Sequence, residues 1–230
     1  MTISLLGAEI IINSELENGY LRAFQKAKWL SVFRDEAGVL INLASLIDDD
    51  CTFIDAGANI GIYSAVISRL TAVKRNLSVM AFEVDPETFA RLSENAHRYG
   101  FQASNVGLAE CEKEVEFIRG AVSHVTTAVN FKSRYNIPGE TFLARCLPLS
   151  AFDIPGSSIV LKIDVEGAEY EVLAGARPLF ANGRIKAVYL DGFSRPDDVI
   201  QVLEEFAFRL LDGRTLAPFG SGSFSLLAVR

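Results

Sequence analysis

Four short apolar runs, each closing on an acidic residue, recur along the chain: residues 51–55 end at Asp55, 77–83 at Glu83, 159–164 at Asp164 and 185–191 at Asp191. Stretches of helical period stand between them. Pro86 opens a helix over 87–99 that Gly100 closes; others follow Asp55 as far as about Leu70, and cover 166–180 and 199–208. Residues 103–108 read as a third strand, and the apolar segments 206–211 and 224–229, around Gly213 and the Gly220-Ser-Gly222 turn, read as a closing hairpin. Strands alternating with helices of about 10–15 residues require crossover connections, which are right-handed and build a mostly parallel, doubly wound α/β sheet.

Two segments depart from this rhythm. Residues 15–47 read as helical, with Leu21, Phe24, Lys28 and Phe33 on helical spacing and a second apolar face from Val39 to Ile47. Asp48-Asp-Asp50 ends that pattern, so the sequence divides into an N-terminal helical extension, 1–50, and a main domain, 51–230. Residues 110–157 hold alternating segments at 115–118 and 142–147 around a polar stretch, 123–139, and read as an insertion between the third and fourth core strands. Loops carried on a rigid scaffold commonly confer specificity, which makes this insertion the candidate for substrate recognition.

Composition narrows the partners. With 22 basic and 29 acidic residues the net charge is −7, so the chain has no overall attraction for phosphate backbones or anionic lipid. Cys51, Cys111 and Cys146 are widely separated and lack metal-ligand spacing, which fits a reducing compartment rather than a disulfide framework or structural zinc. No cationic, secretory-type start precedes the first apolar stretch, and the longest apolar run falls well short of the ~20 residues of a membrane span. The expectation is a cytoplasmic protein bound to neither nucleic acid nor membrane; self-association is left open.

The chemistry concentrates at the strand ends. In Phe53-Ile-Asp-Ala-Gly-Ala-Asn-Ile-Gly61, Gly57 and Gly61 let the backbone turn sharply and approach a ligand, and the helix that follows presents free N–H groups. Ligands of open α/β sheets bind beyond the carboxyl ends of strands, where this turn lies. The glycines are spaced G-x-x-x-G, which disfavours a dinucleotide oxidoreductase, and no phosphate-binding G-x-x-x-x-G-K motif is present. Glu83, at the end of the next strand, is placed to accept hydrogen bonds from the ribose hydroxyls of an adenosine ligand. Register places an adenine edge at Asn105 to Leu108.

These features resemble class I S-adenosylmethionine-dependent methyltransferases. The pair Asp55-Ala-Gly-Ala-Asn-Ile-Gly-Ile-Tyr-Ser64 and Val160-Leu-Lys-Ile-Asp-Val-Glu-Gly-Ala-Glu-Tyr-Glu-Val-Leu-Ala-Gly175 is similar to the FkbM family of methyltransferases, over about residues 47–230. The resemblance implies a Rossmann-like sheet with an antiparallel last strand, an S-adenosylmethionine site, and O-methylation of a sugar or natural-product hydroxyl, including polyketide-like acceptors. The residues expected to bind that cofactor are Asp55, Gly57, Asn59, Gly61, Glu83, Asp85, Asn105 and Asp164.

For the reaction itself the candidates are Asp164, Glu166 and His124, the last as a general base that titrates in the useful range. Glu166 and Glu169 have an equal claim as residues that merely complement a helix dipole, and Lys162 reads as snorkelling or ion-paired. Asp164 and Asp191 end neighbouring strands; no metal is assigned, though this pair is the arrangement that would hold Mg²⁺. The competing functions are a non-catalytic S-adenosylmethionine-binding protein and a nucleobase N-methyltransferase. The second lacks its usual Asn/Asp-Pro-Pro-aromatic motif, since Asp164-Val-Glu-Gly167 stands in that place.

Overall fold

The computed structural model describes residues 1–17, 32–120, 126–129, 139–223 and 225–230. The main sheet is built from β3 (Cys51–Ala56), β4 (Ser78–Phe82), β5 (Gln102–Ser104), β10 (Ser158–Ile163), β11 (Ile185–Leu190), β12 (Arg209–Asp212) and β13 (Leu226–Val229). Its order is β12-β13-β11-β10-β3-β4-β5. Pairing is parallel from β11 to β5, while β13 runs antiparallel to both β11 and β12. The closing hairpin and the antiparallel last strand are therefore present.

The central strands are mostly apolar because both faces are covered, with Asp55 of β3 and Lys162 of β10 as buried charged exceptions. Phe53, Val160, Ala187 and Tyr189 pack under α1 (Val32–Ser45), α2 (Ile62–Leu70) and α3 (Pro86–Tyr99). Their neighbours Ile54, Leu161, Val188 and Leu190 pack under α4 (Glu169–Gly175), α5 (Arg177–Ala181) and α6 (Pro196–Glu205). Among the described residues no helix is long and apolar enough to cross a membrane.

Several boundaries differ from the sequence reading. The extension is not wholly helical: β1 (Thr2–Leu5) and β2 (Ala8–Ile11) form a hairpin ahead of α1. Leu6 and Gly7 both take positive φ, 47° and 80°, the backbone that a two-residue hairpin turn demands. Ile3, Leu5, Ala8 and Ile10 face inward, and Asn95 of α3 clamps β2 by accepting from Ile11 N and donating to Ile11 O. Of the residues used to infer helix there, Leu21, Phe24 and Lys28 lie outside the described residues.

The helix expected over 166–180 starts later and is broken in two. Glu166 and Gly167 hold φ of 44° and 110°, which no helix accommodates. Pro178 then has no N–H to donate to the carbonyl four residues back, on Ala174, which breaks the helical ladder between α4 and α5. The third strand stops at Ser104, and β6 (Gly107–Leu108) leaves for a second sheet. That sheet, β6-β9-β7-β8, is what the inserted segment becomes, through β7 (Lys113–Arg119), β8 (Thr126–Ala128) and β9 (Glu140–Leu147).

Candidate active site

The glycine turn after β3 is shaped by the chain's own contacts. Gly57 has φ 73°, and a Cβ there would lie 1.9 Å from the carbonyl oxygen of Asp164. At Gly61, φ 82°, a Cβ would lie 2.6 Å from Leu92 Cδ1. The glycines are thus needed first so that β3, β10 and α3 can close on one another, and the expected close approach to a ligand is left to Gly57. The turn is pinned by Gly57 N and Ala58 N, which both donate to Phe82 O at 3.0 and 2.9 Å.

This turn and the end of β4 position Glu83. Asn59 N donates to its Oε2 and Asp85 N to its Oε1, each at 2.9 Å. The side chain is 8% exposed, and burial pushes its pKa up to about 7. Each oxygen has one backbone donor and keeps acceptor capacity for a second. Glu83, Gly57, Asn59 and Asp164 form one wall of a cavity of about 210 Å³. The opposite wall is Val115, Phe117, Thr126 and Ala128 of the second sheet.

The second sheet is tied down over this cavity. Arg119 at the end of β7 donates to Asp85 Oδ1 from Nη2 at 2.6 Å and from Nε at 2.8 Å, and to Glu87 Oε1 at 2.7 Å. Thr127 Oγ1 donates to Glu166 O at 2.8 Å. The described part of the insertion is therefore a roof on the crevice at the strand ends.

Of the residues singled out from sequence, Gly57, Asn59, Glu83, Asp164 and Glu166 line the cavity, whereas Asp55, Gly61, Asp85 and Asn105 do not. Asp55 is fully buried behind the wall, accepting from Ser64 N, Ser64 Oγ and Lys162 Nζ. Asp85 caps α3, accepting from Thr88 N at 3.2 Å, and holds Arg119. Asn105 donates to Glu83 O and Val84 O and so shapes the backbone around Glu83. Asp55 and Asp85 are spent on the fold for a common reason, that buried polar side chains acquire partners within the chain, whereas Asn105 is exposed and holds only backbone carbonyls. His124 lies outside the described residues.

Glu169, which sequence left between two roles, braces the turn ahead of it by accepting from Gly167 N at 2.8 Å and Ser194 N at 3.0 Å. Glu166 is not in the first turn of a helix but in the turn before it. Asp164 keeps its carboxylate 41% exposed at the cavity wall. Asp191 is held by the Tyr189 hydroxyl, which donates at 2.6 Å, and burial followed by the Asp164 charge raises its pKa. Among the described residues no group of three or more His, Cys, Asp and Glu is placed to hold a metal ion.

One network escaped the sequence. Tyr63 donates to Glu36 of α1, its ring stacks with Tyr189 at 6.3 Å, and Lys162 Nζ lies 4.8 Å from the ring centre. Burial raises the pKa of Glu36 to about 7 against the opposing Tyr63 hydrogen bond. Nothing in the local pattern around Glu36 marks it; Tyr63, inside the quoted motif, was the available signal.

Known proteins resemble this chain in sequence and in fold. The model of the methyltransferase FkbM domain matches residues 55–210. A curated relative, hexuronic acid methyltransferase AglP of Haloferax volcanii, is 28% identical over 181 residues, which is 75% of this chain and 69% of that protein. The crystal structure of methyltransferase FkbM from Methylobacillus flagellatus KT aligns with a TM-score of 0.54 and 18% identity. That alignment covers 80% of this chain and 45% of the other, so the chain spans less than half the length of that solved relative.

Proposed function

The chain belongs to the FkbM methyltransferase family, and on that premise we propose that it transfers the methyl group of S-adenosylmethionine to a hydroxyl of a sugar or a similarly hydroxylated small molecule. The observation that carries the cofactor assignment is Glu83. A desolvated carboxylate with one fixed backbone donor on each oxygen is a two-point acceptor, matched to the vicinal hydroxyls of a ribose. The residues present fit an adenosine-type ligand in a second respect: Asn59 Oδ1 is buried in the cavity wall without a partner among the described residues.

When bound, the cofactor supplies an electrophilic methyl group on a sulfonium. The chain's part is alignment and exclusion of water. Gly57 and Asn59 would border the ligand on the β3 side and Glu83 would hold its ribose, while β7 and β8 cover the crevice. Alignment of this kind accounts for several kcal/mol of barrier lowering, on the order of 7–11 for the best intramolecular cases. Asp164 is our candidate for contact with the acceptor hydroxyl, being half exposed at the cavity wall. Glu166 beside it and His124 of the insertion are the other candidates to take the proton.

The relative's name, hexuronic acid methyltransferase, supports a sugar as acceptor. Incubation with methyl-labelled S-adenosylmethionine and a panel of hexose and hexuronic acid glycosides tests this reading. Label in a glycoside, as an alkali-stable ether, is the expected result; label in an alkali-labile ester would move the transfer to a carboxylate oxygen. No binding of S-adenosylmethionine or S-adenosylhomocysteine would overturn the reading altogether.

A further inference from the structure

The cavity has two ends of different chemistry. Glu83, Gly57 and Asn59 mark one. At the other, α4 runs close beside the start of the second sheet, so close that a Cβ on Gly175 would lie 2.1 Å from Ala109 O. The lining from these segments includes the apolar Val106, Leu108 and Ala168, against which a flat ring can pack. Glu171, on α4, also lines the cavity, and its side chain is 13% exposed. Its Oε1 accepts from Arg195 Nη1 at 3.1 Å. Its Oε2 is buried and has no hydrogen-bond partner among the described residues.

A carboxylate oxygen sealed from water without a donor is an uncommon and costly feature, and it asks for an explanation. The nearby ammonium does not supply one, because Lys113 Nζ is engaged by Glu110 at 2.8 and 3.0 Å. A ligand donor does. We propose that Glu171 reads the exocyclic amino group of the cofactor's adenine, whose N–H would donate to Oε2 once the ring lies in the apolar slot. The proposal rests on the S-adenosylmethionine reading above and adds a residue that selects the base. A 6-oxo purine in the same slot would set its carbonyl oxygen against the carboxylate, with no donor between them.

The Arg195 contact makes the test directional. In Glu171→Gln the amide carbonyl keeps the place of Oε1, where Arg195 donates, so the amide NH₂ takes the place of Oε2. The acceptor becomes a donor, and the preference for 6-amino over 6-oxo bases should fall or invert.

The measurement is calorimetric binding of S-adenosylhomocysteine and of its 6-oxo analogue, S-inosylhomocysteine, to the full chain and to Glu171→Gln. The wild-type chain should prefer the 6-amino ligand by about tenfold or more, since sites built to bond a polar group reject analogues that lack it. Glu171→Gln should bring the ratio to about one or below. If that variant melts early, Glu171→Ala serves instead and should abolish the preference while leaving both ligands bound. An unchanged ratio in a folded variant overturns the role of Glu171 alone. Failure of the wild-type chain to bind either ligand overturns this proposal together with the cofactor reading.

Discussion

Lys162 Nζ lies 3.0 Å from Asp55 Oδ1, and the two residues are register partners on adjacent parallel strands. Their side chains are 3% and 0% exposed. Lys162 also lies 3.5 Å from Asp164 Oδ2 and 3.4 Å from Gly57 O, so one buried cation joins β3, the glycine turn and the half-exposed acid of the cavity wall. Burial works against the charge, but Asp55 and then Asp164 outweigh it and hold the ammonium well above its usual pKa.

Removing that cation should therefore be expensive. Lys162→Met leaves Asp55 buried with only the two Ser64 donors, and breaking one side of a buried pair costs about 3–5 kcal/mol. Denaturant unfolding measures the loss, and a double-mutant cycle with Asp55→Asn should return a coupling energy of the same sign. A single-variant loss under about 1 kcal/mol would mean that the pair adds little to folding.

Two glycines with nearly the same backbone separate strain from crowding. Gly57 and Gly100 have φ of 73° and 72°, but only Gly57 has an atom in the way. Gly100→Ala should cost roughly 1–2 kcal/mol, the conformational penalty alone. Gly57→Ala should cost more and should also weaken S-adenosylhomocysteine binding, because Asp164 must shift. Similar losses in the two variants, with binding intact in both, would contradict the packing argument.

Stability and affinity should respond to pH in opposite directions. Burial raises Glu36 and Glu83 from the ordinary 4.5 to about 7, so between these values the folded chain binds more protons than the unfolded one. Their contribution is fully present below pH 4.5 and is lost as pH rises to about 7. Glu83→Gln should remove part of that slope. Ribose hydroxyls donating to Glu83 favour its ionised form, so S-adenosylhomocysteine should bind more tightly at pH 8 than at pH 6. Calorimetry at the two values checks this, and the difference should vanish in Glu83→Gln.

Arg119→Ala cuts the tether between the roof and α3. Asp85 loses its partner at 2.6 Å and keeps its capping bonds, so a modest destabilisation of about 1–3 kcal/mol is expected. The larger effect should be kinetic, with faster release of S-adenosylhomocysteine in stopped-flow displacement. Unchanged release would mean that the roof stays closed without Arg119.

The parallel sheet could be read from sequence because its strands are buried on both faces, so that Phe53-Ile54 and Val160-Leu161 form continuous apolar runs. The N-terminal hairpin was missed because its turn is Leu6-Gly7 rather than the usual Asn-Gly or Asp-Gly. At the site, the ion-paired reading of Lys162 holds, with Asp55 at 3.0 Å and Asp164 of the cavity wall at 3.5 Å as its partners. Asp85 and Asn105 show the limit of that reasoning: an acid or amide at a strand end carries the same signal whether it faces a ligand or secures its own backbone. Glu36 and Glu171 reach their positions through long-range packing that no local pattern records.

The central claim, an adenosyl cofactor held by Glu83 in the roofed cavity, is tested most directly by calorimetry with S-adenosylhomocysteine, with NADH as the control. The predicted result is saturable one-to-one binding of S-adenosylhomocysteine that Glu83→Ala weakens, and no heat from NADH. Binding of NADH alone, or S-adenosylhomocysteine binding that Glu83→Ala leaves untouched, would contradict it.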